Sequence, residues 1–186
     1  MDILGIFSAF GLSASAGLNA YIPLLVVALL ARFTNLIHLQ QPWDALSSLW
    51  IIGLLVVLSI IELLADSTPA VNHINDMIQT FVRPTAGAIV FAASADILTD
   101  VSPILSLACG LLVAGGVHAV KSAIIRPSIT ATTGGTANLP VSLLEDTTST
   151  IVSVLSILVP IVVVVLMIIL IGWFISKRQR KKSYQD

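Results

Sequence analysis

The chain has 186 residues, 56% of them hydrophobic and only 10% charged, with a mean hydropathy of +1.01. A soluble domain carries about 25% charge, so a water-soluble globule is excluded and most of the surface must face lipid. A single cysteine, Cys109, excludes an internal disulfide and a cysteine-based zinc site, and five of the nine basic residues sit in a short tail, which leaves no long basic arm for nucleic acid.

A membrane-crossing helix needs about 20 mainly apolar residues. Residues 3–31 meet this, with Ser and Gly interruptions. They follow neither a cationic region nor a cleavage signal, so a retained span is expected and not a signal peptide. Residues 49–64 are strongly apolar, with Trp50 at the start. Residues 85–98 are short and rich in small side chains, and extend a helix beginning near Pro69. Residues 104–125 form a further span. Residues 127–145 are too polar for a lipid-facing helix; they hold Thr130, Thr132, Thr133, Gly134, Gly135, Thr136, Asn138 and Pro140. Such backbone is tolerated at membrane depth only inside protein or beside water. Residues 151–175 are the clearest span, with a kink expected at Pro160. They end in Trp173 and the basic tail Lys177, Arg178, Arg180, Lys181 and Lys182, an interfacial anchor.

Two stretches resemble each other. Gly11–Ala20 aligns with Gly110–Ala119, and Leu63–Thr68 aligns with Leu143–Thr148. The order is a small-residue helix, then an acidic break. If 127–146 crosses as a broken element, there are six crossings. Arg83, Lys121, Arg126 and the tail then lie inside, and only Arg32 lies outside, as the positive-inside rule prefers. Three elements per half make the second half inverted, with Asp66 and Asp146 on opposite sides. The expected fold is an all-α polytopic bundle of two inverted three-element repeats, with a broken or re-entrant segment in the second half. Its divisions are 1–98, 99–175 and a cytoplasmic tail, 176–186.

Four constellations could carry chemistry. Gly11, Ser15 and Asn19 share one helix face, as do Gly110, Ala114 and His118. Close helix packing explains the glycines; Asn19 and His118 are costly in lipid without partners. The carboxylates Glu62 and Asp66 lie one turn apart, matched by Glu145 and Asp146. Helix capping is the rival role for Asp66 and Asp146. Asn72, Asp76, Gln79 and Arg83 recur on one face of an amphipathic helix, read as lying at an interface. His73 beside it reads as a surface histidine. Arg83, Lys121 and Arg126 could hold an anion or a lipid headgroup; the favoured reading makes them topology determinants at the inner interface. The catalytic signatures of metalloproteases, α/β-hydrolases and P-loop enzymes are missing, and His38, His73 and His118 are far apart. No enzyme, metal or cofactor is expected.

The runs Gly11–Pro23, 65–88, 115–135 and 140–149 resemble a bacterial integral-membrane family, domain of unknown function 4126. The matching residues are Asp66, Pro69, Arg83, Pro84, Gly116, His118, Lys121, Ser142, Glu145 and Asp146. The resemblance implies a multi-pass protein of the bacterial inner membrane and no particular activity. The physical reading is a small transporter or channel, moving a small solute or ion with cation or proton coupling. Its path lies between the halves and is lined by Ser15, Asn19, Glu62, Asp66, His118, Glu145 and Asp146. The partners are lipid, a small solute or ion, and further copies of the chain in a homo-oligomer whose number the sequence does not fix; both termini are cytoplasmic. A lipid-phosphate flippase using Arg83, Lys121 and Arg126, and a non-transporting scaffold, are the alternatives.

Overall fold

The computed structural model describes residues 3–67, 69–98 and 102–182. Thr68, the side chain of Pro160 and the side chains of the basic tail lie outside the described residues. Every regular element described is helical: α1 Ile3–Leu18, α2 Tyr21–Phe33, α3 Leu49–Ser67, α4 Pro69–Leu98, α5 Pro103–Val120, α6 Arg126–Thr133 and α7 Asn138–Lys182. A short 3-10 helix, Trp43–Ser47, leads into α3, and one wide π-type turn, Lys121–Ile125, joins α5 to α6.

The sequence explains the boundaries. Pro69 and Pro103 open α4 and α5, where a missing N–H costs nothing. Gly134 and Gly135 take positive φ of 61° and 88°, a left-handed turn that ends α6. α7 then begins at Asn138 and runs through Glu145 and Asp146 without a break. The expected acidic break at Asp146 is therefore absent. The break falls at the glycines, which can adopt positive φ, and residues 127–146 form a helical hairpin and not a separate crossing.

Contacts give the directions. Ser13 meets Gly110, and Gly17 meets Ala114 and Val117, so α1 and α5 run parallel. Ser13 also meets Gly87 and Phe10 meets Phe91, so α4 opposes α1. Ser15 meets Ser149 and Ser153, and Gly11 meets Ser156, so α7 opposes α1 too. Small residues at these crossings let the helices touch backbone to backbone: a Cβ on Gly110 would lie 2.4 Å from the Gly87 carbonyl oxygen.

Two expectations fail here. The matched helices α1 and α5 are parallel, whereas inverted copies would oppose each other. Nor are 3–31 one span. The helix breaks at Asn19–Ala20, leaving α1 about 24 Å and α2 about 20 Å long. α2 packs on α3 and on Trp43–Ser47. That turn lies about 25 Å along α3 from Asp66, while α2 starts just after Asn19, whose amide bonds Asp146, the neighbour of the Glu145 that shares Arg126 with Asp66. So α2 turns back, and α1–α2 is a re-entrant hairpin in the first half. Among the described residues three helices, α3, α5 continued through α6, and α7, contain runs long and apolar enough to cross a membrane. The chain is a helical membrane protein.

Candidate functional site

One charged cluster occupies the level where α1 breaks. Glu62 and Asp66 come from the end of α3. Asn75, Asp76, Gln79 and Arg83 come from α4, His118 from α5, Lys121 from the π turn, Arg126 from α6, and Glu145 and Asp146 from α7. Asn19 sits at the break itself. Arg83 is fully buried, and Glu62 and Lys121 are 1% exposed.

Apolar surface surrounds the cluster. The outer faces of the same helices, at the same heights, carry exposed Leu64, Ile74, Met77, Phe81, Ile124, Leu143 and Leu144. α4 is thus polar inward and apolar outward. The face read as interfacial is instead the inner wall of the bundle: Asp76, Gln79 and Arg83 point into the cluster. Asn72 and His73 have side chains outside the described residues.

Buried charge is costly unless paired, and here the pairs interlock. Arg83 Nη2 is 2.7 Å from Glu62 Oε1, with Nε donating to the same oxygen at 3.2 Å, and it reaches Asp66 Oδ2 at 3.4 Å. Lys121 Nζ donates to Glu145 Oε2 at 2.7 Å and lies 3.8 Å from Asp66. Arg126 clamps Asp66 with both terminal nitrogens, and also meets Glu145 at 3.1 Å and Asp76 at 3.4 Å. Asn75 Nδ2 donates to Asp66 Oδ1 at 2.6 Å. Arg83 Nη1 lies 3.3 Å from His118 Nδ1. A guanidinium can only donate, so Nδ1 accepts and the ring proton sits on Nε2, facing Thr80 Oγ1 at 3.3 Å.

The helix break completes the site. Asn19 Oδ1 accepts from the backbone N–H of Tyr21 and of Ile22, both at 3.0 Å, which caps α2. Its Nδ2 donates to Asp146 Oδ1 at 2.9 Å. Lys121 takes the Leu18 carbonyl at the other side of the break, at 2.8 Å. Carboxylate faces the start of α2 and ammonium faces the end of α1, as helix-end dipoles favour.

Six of the seven path residues expected from sequence are brought together: Asn19, Glu62, Asp66, His118, Glu145 and Asp146. Ser15 is not among them. It lies one turn away, bonded to Ser149 and Ser153 at 2.7 Å in a packed seam between α1 and α7. Three corrections follow. Asp66 and Asp146 do not lie on opposite sides; Arg126 contacts Asp66 together with Glu145, the neighbour of Asp146. Arg83, Lys121 and Arg126 are not topology determinants at an interface; they are interior counter-ions. The carboxylates of Asp66 and Asp146 are taken up by Arg126, Asn75 and Asn19, so helix capping is not their role. Sequence reasoning missed Asn75, Thr80 and the Leu18 carbonyl. The spacing of Asn75, Gln79 and Arg83 opposite Ile74, Met77 and Phe81 was the available signal.

A family model described as Domain of unknown function (DUF4126) matches residues 6–180. The chain belongs to the DUF4126 family. Among curated proteins and solved structures nothing matches. In this DUF4126 chain the residues that carry the family resemblance converge: Asp66, Arg83, His118, Lys121, Glu145 and Asp146 all join the cluster. Pro84 lies one residue beyond Arg83, under Gly115 on α5. Ser142 is buried on α7, one turn before Glu145 and Asp146.

Two features keep the cluster from being closed. Counting ionisable groups, Glu62, Asp66, Asp76, Glu145 and Asp146 outnumber Arg83, Lys121 and Arg126. And three buried oxygens, Glu62 Oε2, Asp76 Oδ1 and Gln79 Oε1, have no hydrogen-bond partner among the described residues; Asp76 Oδ1 has only its 3.4 Å ion contact with Arg126. Beside Arg126, a cavity of about 10 Å³ lined by Ile129, Asn138 and Val141 offers room for about one water.

Proposed function

We propose that this protein is a small membrane transporter or channel of the bacterial inner membrane, in which movement of a small solute or ion is coupled to a cation or proton through the carboxylate cluster. One observation carries the reading: a buried network with more acids than bases, and with unpartnered carboxylate oxygens, set at membrane depth where α1 breaks. Ionisable groups in lipid are costly and mark ion or proton pathways. Broken helices with their ends aimed at charge are a common way to build such sites.

The proposed orientation follows from charge. α1 starts and α7 leads away at the same end of the bundle, the end that also carries Arg32. With Arg83, Lys121 and Arg126 held inside the cluster, Arg32 and the tail are the remaining basic residues. The positive-inside rule then puts this end, with both termini, in the cytoplasm. The Gly134–Gly135 turn faces outward, and the cavity beside Arg126 lies on that side of the cluster.

A non-transporting scaffold is the second reading. It is favoured by the α1–α7 serine seam, whose hydroxyls at Ser8, Ser15, Ser149 and Ser156 are all hydrogen-bonded internally. The lipid-phosphate alternative has less support, because Arg83, Lys121 and Arg126 each already contact at least one buried carboxylate. The test is flux in proteoliposomes under imposed K⁺, Na⁺ and pH gradients. Wild type should dissipate at least one gradient, while Asp66→Asn and Asp146→Asn should be at least tenfold slower. Normal rates in both folded variants would remove the carboxylates from the path, and no flux by wild type would favour the scaffold.

A further inference from the structure

Glu62 is the odd member of the cluster. It is 1% exposed, and both bonds from Arg83 fall on one oxygen, Oε1. The other, Oε2, has no donor. A carboxylate oxygen buried without a donor loses its hydration with nothing in return. Gln79, 2% exposed on the adjoining face of α4, has the same defect at Oε1. Tyr21 of α2 lies within electrostatic range of Glu62. Glu62 Oε2 and Gln79 Oε1 are buried acceptors that no donor reaches, so the missing partner is positive or a donor.

Its nature follows from the surroundings. The titratable and charged groups near Glu62 are Tyr21 from α2, Asp66 on its own helix, Arg83 from α4, and Lys121 from the π turn. A metal cation at Oε2 would sit on a carboxylate already shared with Arg83, and within reach of Lys121. Two positive groups so close disfavour a third that needs several oxygen ligands. No group of three His, Cys, Asp or Glu among the described residues could hold a metal ion. A proton needs one oxygen and no cage. It removes one of the surplus negative charges and turns Oε2 into a donor.

We propose that Glu62 is the proton-binding site of this protein, protonated at Oε2 in the conformation seen here. This deepens the transporter reading and rests on it for its purpose: the coupling ion is a proton. An O–H bond forms between Oε2 and a proton delivered by water, and no other bond changes. In that state Arg83 keeps Oε1 as an acceptor. When the proton leaves, a full carboxylate draws Arg83 from its contacts with Asp66 and His118. Proton release is thereby tied to the packing of α3, α4 and α5.

The experiment is infrared spectroscopy of the full chain in nanodiscs at neutral pH, which reads protonation and needs no flux. The chain contains only two glutamates, Glu62 and Glu145. The expected result is a carbonyl band of a protonated carboxylic acid that shifts on ¹³C-glutamate labelling and stays put on ¹³C-aspartate labelling. The band should vanish in Glu62→Gln and persist in Glu145→Gln. Labelling of wild type keeps the test open if Glu62→Gln does not fold. Absence of the band, a band that follows aspartate, or one that survives in folded Glu62→Gln overturns the proposal. A glutamic acid band in a protein without flux would uphold the proton site and sink only the transporter reading.

Discussion

The ammonium of Lys121 caps the broken end of α1 by taking the Leu18 carbonyl at 2.8 Å, while the same nitrogen meets Glu145 at 2.7 Å. One side chain thus holds the re-entrant hairpin against both α5 and α7. Removing it leaves Glu145 and a helix-end carbonyl short of a buried donor. Lys121→Met should destabilise the protein by ~3–5 kcal/mol, the scale for breaking a buried pair from one side. Unfolding in mixed detergent micelles measures this; a loss under about 1 kcal/mol would show that the cap is incidental.

The Glu62–Arg83 pair makes a sharper test, because both partners are buried. Arg83→Met alone deprives the buried Glu62 Oε1 of both its donors and Asp66 of one counter-charge, and should cost ~3–5 kcal/mol. Adding Glu62→Leu removes the buried acceptor left without a donor, and the double variant should recover ~1–3 kcal/mol through the coupling between contacting residues. The double variant is expected to fold and to lose flux, which separates stability from function. Strictly additive losses in a double-mutant cycle would show that the two side chains do not interact.

Glycine substitutions test the helix crossings. A Cβ on Gly110 would lie 2.4 Å from the Gly87 carbonyl oxygen and 2.6 Å from Phe91 Cβ, with backbone unable to give way. Gly110→Ala should therefore push α4 from α5 and cost ~1–3 kcal/mol. Gly53 and Gly116 have nothing within 4 Å of an added Cβ. Gly53→Ala and Gly116→Ala should be neutral or stabilise by up to ~1 kcal/mol, the helix preference for alanine. The same unfolding measurement ranks all three variants; equal effects would contradict the packing described.

What the sequence disclosed, and what it hid, divides along one physical line. Composition and apolar runs follow from lipid, so α3, the start of α4 at Pro69, and the membrane class were legible. So were the carboxylates, because a charge in an apolar run needs an explanation. Partnership was not legible. Arg83, Lys121 and Arg126 read as edge residues because each lies beside a polar or proline-bearing stretch, and only tertiary packing turns them inward. The break at Asn19–Ala20 was hidden because Leu18 and Ala20–Pro23 remain apolar, and no glycine or charge marks it beyond Gly17. The inverted repeat drew on a real likeness between α1 and α5; that likeness reflects two parallel small-residue helices touching at Ser13–Gly110 and Gly17–Ala114.

The re-entrant hairpin gives the most decisive topological prediction. If 3–31 were one span, the segment after α2 would emerge opposite the start of α1. With α2 turning back, Asn35, the start of α3 at Trp50 and the tail share one side, and the Gly134–Gly135 turn lies on the other. Trp50 is 89% exposed at the start of α3, as an interfacial anchor at that end should be. In a Cys109→Ser background, Asn35→Cys and Gln179→Cys should react with a membrane-impermeant thiol reagent only after cells are permeabilised. Thr136→Cys should react in intact cells. Labelling of Asn35→Cys from outside would restore a single crossing for 3–31, remove the hairpin tip from the cluster, and leave Asn19 and the Leu18 carbonyl without the role assigned to them.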